Sequence, residues 1–216
     1  MNTLFFSISS IILYIISSTI PIQTPTYFDD FNDGDTNGWW FGPSHANPSV
    51  YGNWRVEDGT LVQDMGGDGF IGLIENFTIS DQIVEAALKL NGPAGYGGIT
   101  VWFQNYNNFV YIRVYPGAGS IWVEEWIEGV RNSTSYPYSI NYNDNLWYTL
   151  KVKADGKSGD LEVYINNVRL FNHQTTTPNL TGQSGLINGN SGGYFDDFNI
   201  TLLYRPSRIY LPLIIR

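Results

Sequence analysis

The sequence predicts an all-β chain, a two-sheet antiparallel β-sandwich, on three observations. Hydrophobicity between residues 27 and 204 alternates with period 2 and nowhere sustains a 3.6-residue period. Clusters of Gly, Asn and Asp cut the alternation into short runs, Asp58-Gly59 and Asp155-Gly156 being the strongest turn dipeptides. Many short strands joined by turns, with no helical pattern between them, give a sandwich. No Pro-rich or charged linker divides the span, so one domain is expected.

Strands are expected at 27–31, 53–57, 60–64, 69–79, 82–90, 98–104, 108–115, 120–128, 146–154, 161–166, 168–172, 184–188 and 194–204. The runs 53–57 and 60–64 flank Asp58-Gly59, and 146–154 and 161–166 flank Asp155-Gly156. Gly189-Asn190-Ser191-Gly192-Gly193 fits G-x-S-x-G, but a strand and not a helix follows it, so it reads as a glycine-rich turn before 194–204.

The middle three strands can be registered. Ile99, Val101 and Phe103 share one face of 98–104, and Thr100, Trp102 and Gln104 the other. Val110, Ile112 and Val114 alternate with Phe109, Tyr111, Arg113 and Tyr115. Ile121, Val123 and Ile127 alternate with Trp122, Glu124, Trp126 and Glu128. A turn at Gly117-Ala118 pairs Arg113 with Trp122 and Tyr111 with Glu124. A turn at Tyr106-Asn107 pairs Trp102 with Tyr111. Both registers gather the aliphatics on one face, which a one-residue slip would scatter. Glu125 is the misfit there.

The opposite face then carries Trp102, Tyr111, Arg113, Tyr115, Trp122, Glu124, Trp126 and Glu128. Flat rings beside charged hydrogen-bonding groups suit a sugar, which has apolar C–H faces and a rim of hydroxyls. The competing reading is a second buried layer, since Trp and Tyr favour strands for packing alone.

Composition narrows the partners. The chain has 216 residues, 11 Lys+Arg against 20 Asp+Glu, and a net charge of −9. Nucleic acid and anionic membrane surfaces are poor partners for it, because both need basic clusters. Cysteine is absent, which removes disulfides, thiol nucleophiles and thiolate metal sites.

Residues 1–25 read as a secretory signal or N-terminal anchor. An apolar run with interleaved Ser leads to small residues at Ser17, Ser18 and Thr19, though no Lys or Arg precedes it. Both of these readings place the rest outside the cell or on its surface; a third, a buried first segment, does not. The sequons at Asn76, Asn132, Asn179 and Asn199 are then glycosylation acceptors where the host has that machinery. The tail, 205–216, holds three Arg and no acid, and suits a sorting segment or an extra edge strand.

Three segments carry a resemblance. They are YFDDFNDGDTNGW from Tyr27 to Trp39 with NWRVEDG at 53–59, LWYTLKVKADGKSGDLEVYINN from Leu146 to Asn167, and GLINGNSGGYFDDFNI from Gly185 to Ile200. Together they resemble the concanavalin A-like lectin/glucanase jelly rolls, a superfamily that includes laminin-G-like domains and family 16 glycoside hydrolases. The resemblance spans 27–204 and implies two stacked sheets, one curved so that its concave face holds ligand. The repeated FDDF at 28–31 and 195–198 suits first and last strands lying side by side.

Two motifs bear on chemistry. Asp33, Asp35 and Asn37 match the D-x-D-x-N-G half of a calcium loop, but position twelve is Ser44 and no helices flank it. This excludes an EF-hand and leaves a structural Ca²⁺ or an Asx-rich turn. Family 16 hydrolases carry E-x-D-x-E, whose outer glutamates are nucleophile and acid/base. Glu124 and Glu128 match that spacing, but Trp126 replaces the central Asp. The expectation is therefore an exported non-catalytic module that binds a glycan or polysaccharide or serves adhesion. The alternatives are a glycoside hydrolase using Glu124 and Glu128, and a purely structural surface protein.

Overall fold

The computed structural model describes residues 26–138, 146–178, 180–190 and 192–203. The segments 1–25 and 205–216 and the sequon Asn179 lie outside the described residues. In chain order the strands are β1 Tyr27–Asp29, β2 Trp39–Phe41, β3 Trp54–Glu57, β4 Thr60–Gln63, β5 Phe70–Ile74, β6 Asp81–Leu90, β7 Tyr96–Asn105, β8 Asn108–Tyr115, β9 Ser120–Ile127, β10 Val130–Pro137, β11 Tyr148–Asp155, β12 Asp160–Ile165, β13 Val168–Gln174, β14 Gln183–Gly189 and β15 Gly193–Leu202. They form two antiparallel sheets. An eight-stranded sheet has the order β13-β12-β11-β6-β15-β4-β3, with β1 also paired to β15. A seven-stranded sheet has the order β10-β9-β8-β7-β14-β5-β2.

Alternation explains how the sheets meet. Along β6, Val84, Ala86, Leu88 and Leu90 are buried and the residues between them are half-buried. Leu150 and Val152 of β11 and Leu161 and Val163 of β12 extend the layer. Ile99, Val101, Val110, Ile112, Ile121 and Val123 meet it from the seven-stranded sheet. The β8–β9 register places Arg113 opposite Trp122 and Tyr111 opposite Glu124, as alternation predicts.

The β7–β8 register differs. Plain alternation pairs Trp102 with Tyr111, but Thr100 takes that place, and pairing slips between Val101 and Asn105. Trp102 sits in the slip with φ 56. The left-handed backbone marks a β-bulge, which re-aims the side chains around it. Trp102 turns into the core between the sheets, 1% exposed, and its indole N–H donates to the Ser80 carbonyl at 2.7 Å. Phe103 turns to the outer face instead.

The FDDF repeats depend on the same device. Phe195 and Phe198 are three apart, so a regular strand would aim them to opposite faces. A register shift at Asp196–Asn199, with Asp197 at φ 48, turns both into the core. Phe31, at φ 53, is likewise buried, whereas Phe28 stays 54% exposed. Asp29 bonds the Phe31 N–H at 2.8 Å and the Trp39 indole N–H at 2.7 Å. β1 lies antiparallel beside β15, with Tyr27 opposite Ile200.

β2 and β10 are not among the strands that alternation predicts. β2 has three residues, and β10 is a polar, mostly exposed strand at the sheet edge, so neither carries a period-2 signal.

Candidate functional site

Residues of β8 and β9 that do not enter the core face outward from the seven-stranded sheet. Among them, Arg113 is the diagonal neighbour of Glu124 and ion-pairs with it. Arg131 of β10 brings Nη2 to 2.7 Å from the same Glu124 Oε1. Asp68, on the glycine-rich loop after β4, lies 3.5 Å from Arg113 Nη1 and accepts the Tyr96 hydroxyl. The guanidinium of Arg113 also lies 4.6 Å from the Tyr96 ring centroid and 5.3 Å from that of Tyr115. Two carboxylates and two ring faces thus compensate an arginine only 6% exposed. Burial, despite the opposing charge of Arg113, holds the Tyr96 hydroxyl well above its ordinary value, so it stays a donor.

Arg113, Tyr115, Ala118, Trp122, Glu124 and Arg131 line an open cleft of ≈ 280 Å³. Trp122 is half-buried there and stands edge-on to Tyr115, with ring centroids 6.3 Å apart. Its indole N–H donates to Ser120 Oγ at 3.0 Å, which fixes the ring.

The structure brings four of the eight sequence-predicted ligand residues into this cleft, namely Arg113, Tyr115, Trp122 and Glu124. Trp102 is a correction: the bulge places it in the core. Tyr111 and Trp126 belong to a second apolar layer under the β2–β3 loop. There His45 rests 4.2 Å from Trp126, centroid to centroid, and Tyr111 stacks on Phe109 at 4.2 Å. Trp126 is therefore partly covered and is no open platform. The Tyr106 hydroxyl holds the covering loop through the Pro43 carbonyl at 2.9 Å, and His45 N–H through Gly69 O at 3.1 Å. Glu128 lies past the end of β9, in the hairpin turn at φ 52, and lines a different cleft with Asn108 and Thr177. Glu124 and Glu128 therefore do not share one strand face or one cleft.

No family model matches the sequence. Solved structures do match the fold. The carbohydrate-binding module CBM66 from Bacillus subtilis superposes with a TM-score of 0.63 at 17% identity, over 76% of this chain and 95% of that one. The catalytic domain of an endo-1,3-beta-glucanase (laminarinase) from Thermotoga petrophila RKU-1 gives 0.59 at 15% identity, over 83% and 97%. A Bacillus subtilis protein of unknown function with a galectin-like fold gives 0.59 at 12%, over 82% and 96%. The fold is the concanavalin A-like jelly roll.

Sequence reasoning missed Arg131, Asp68 and Tyr96 in this jelly roll. The turn dipeptide Glu128-Gly129 could have announced the hairpin that brings Arg131 onto Glu124. Asp68 arrives on a loop, and periodicity says nothing of where loops close.

Asp33, Asp35 and Asn37 fall on the exposed turn between β1 and β2. Asp33 accepts the Asp35 N–H at 3.2 Å, and Asp35 accepts the Asn37 N–H at 2.8 Å and its amide at 2.7 Å. This is Asx-turn geometry. Among the described residues, no group of three or more His, Cys, Asp or Glu is placed to hold a metal.

Glu125, the misfit on the apolar face, is explained by a clasp between the sheets. Its Oε1 lies 2.8 Å from His173 Nε2 on β13, and its Oε2 accepts the Thr176 N–H at 2.7 Å and hydroxyl at 2.9 Å. The Tyr136 hydroxyl lies 2.8 Å from the other ring nitrogen, His173 Nδ1. Burial alone would raise the Glu125 carboxyl. The bonds from His173 and Thr176 outweigh it and hold the group below the ordinary 4.5. A lowered carboxylate stabilises the fold above 4.5, and that contribution is lost as acid carries the pH down through the lowered value. Urea unfolding of the wild type is thus expected to weaken below about pH 4.5 more steeply than that of Glu125→Gln. Equal slopes in the two proteins would refute this account of the clasp.

Proposed function

We propose that the chain is an exported, non-catalytic carbohydrate-binding module that holds a glycan in the cleft at Trp122. The observation carrying this reading is the pairing of ring surfaces, Trp122 and Tyr115, with the Arg113–Glu124–Arg131 network in one open cleft. The rings offer a surface for the apolar face of a sugar, and Arg131 and Glu124 offer a donor and an acceptor for its hydroxyls. The likeness to a carbohydrate-binding module and a glucanase of the same fold supports a glycan in general. Binding is favoured over hydrolysis because Glu124 is engaged by two guanidiniums and Glu128 sits elsewhere, whereas glycoside hydrolysis needs two carboxylates flanking one bond. Export rests on the apolar N-terminal run of the sequence.

A glycan array on the purified domain, followed by titration of Trp122→Ala, tests the reading. Trp122→Ala is expected to weaken binding tenfold or more, about 1.4 kcal/mol, while the fold persists. Unchanged affinity would remove the cleft from the account. Hydrolysis of β-glucan by the wild type, lost in Glu124→Gln, would replace binding with catalysis. Thermal melts of the wild type with and without excess EDTA test calcium at Asp33, Asp35 and Asn37: a bound ion adds its binding free energy to stability, and chelation then lowers the transition.

A further inference from the structure

A second cleft, of ≈ 410 Å³, opens on the same outer face toward the opposite end of the sheet, lined by Trp40, Glu75, Asn76, Phe103 and Gln183. None of these residues lines the cleft at Trp122. Trp40 points outward from β2 because its neighbour Trp39 is buried in the core, and it remains 39% exposed. Its backbone is paired with Leu73 of β5. Its ring lies so close over Gly42 that a Cβ there would come within 2.4 Å of it. The ring centroid of Phe103, on the outer face because of the β7 bulge, is 6.4 Å away. An exposed ring is thus held in one orientation.

Polar groups complete the cleft. Glu75 is exposed, and its N–H is bonded to the Gly38 carbonyl at 2.8 Å. Asn76 follows in the left-handed region at φ 53, a conformation that Asn tolerates. Gln183 is anchored through its amide to the Ile74 carbonyl at 2.8 Å. A fixed ring beside a carboxylate and two amides suits a sugar unit: the ring takes the C–H face, and the polar groups take hydroxyls. Among the described residues Glu75 is the only charged one lining the cleft, so an anionic sugar would meet like charge there.

The β2–β3 loop, seated over Phe109 and Tyr111, stands between the two clefts. From β9 to β2 the sheet takes five strand steps, about 24 Å at roughly 4.8 Å each. One sugar unit cannot reach both. We propose that the Trp40 cleft is a second saccharide site, taking a neutral sugar unit, so that a polysaccharide is gripped at two separate places. The proposal rests on the carbohydrate-binding reading of the domain. Two linked contacts raise avidity without any new contact at either one.

Calorimetry tests it with laminari-, xylo- and fructo-oligosaccharides and the matching polysaccharides, on the wild type, Trp40→Ala, Glu75→Gln and Trp122→Ala. The wild type is expected to bind a short oligosaccharide at two sites, and Trp40→Ala at one. Polysaccharide affinity should fall tenfold or more in Trp40→Ala and in Glu75→Gln. Should Trp40→Ala fail to fold, Glu75→Gln, at an exposed carboxylate, carries the test. Two sites retained in both variants would overturn the inference and leave the Trp122 cleft standing. Binding lost in Trp40→Ala but intact in Trp122→Ala would uphold a sugar site at Trp40 and overturn both the first cleft and the two-place grip. No binding of any of these probes by the wild type would overturn both.

Discussion

Glu124→Ala is expected to cost about 3–5 kcal/mol of folding stability and to abolish glycan binding at the Trp122 cleft. The carboxylate is 3% exposed and answers two arginines at once. Its removal leaves Arg113 buried, with only the longer 3.5 Å contact to Asp68 and the faces of Tyr96 and Tyr115. An uncompensated buried cation is what makes breaking such a pair costly, more than the pair's own attraction. Arg131 is half-exposed and can turn to water, so its loss of partner adds little. Urea unfolding checks the magnitude. Adding Arg113→Met to Glu124→Ala should recover part of the loss, since it removes the stranded charge. A Glu124→Ala protein within about 1 kcal/mol of wild type would mean that the network is solvated and not structural.

Trp102→Ala should cost a similar amount, about 3–5 kcal/mol, by a different mechanism and without touching glycan affinity at either cleft. The indole fills the core between the sheets and donates to Ser80. Truncation leaves a cavity, and the Ser80 carbonyl loses its partner. The contrast with Trp122→Ala is diagnostic, because that change should reduce binding and cost less stability. If Trp102→Ala instead melted near the wild type and lost affinity, the bulge would be misplaced and Trp102 would return to the outer face.

The two tryptophans also show where a sequence stops being readable. Arg113, Tyr115, Trp122 and Glu124 were legible because a tight turn joins β8 and β9 without irregularity, and parity then assigns every face. Trp102 was not, because a bulge reverses parity at one residue and leaves no periodic trace. The second FDDF motif hides its mechanism in the same way: its phenylalanines are three apart, and only the bulge at Asp197 lets Phe195 and Phe198 both enter the core. Arg131 was missed for another reason. An edge strand solvated on most sides needs no apolar alternation, so β10 reads as loop. Asp68, His45 and Trp40 depend on where loops and a three-residue strand come to rest, which no local pattern records. Glu125 alone signalled its own environment, as a lone acid among aliphatics that had to find a buried partner.

The pairing of β1 with β15 governs how the domain can be attached to anything else. Thr26 N–H is bonded to the Ile200 carbonyl at 2.6 Å, so the described chain enters and leaves at the same end of adjacent strands. Both strands lie in the eight-stranded sheet, whereas both clefts open from the outer face of the other sheet. Both points of attachment, residues 26 and 203, therefore adjoin the eight-stranded sheet and not the sheet that carries the clefts. A domain or surface joined through these strands is thus attached to a different sheet from the one whose outer face bears the Trp122 and Trp40 clefts.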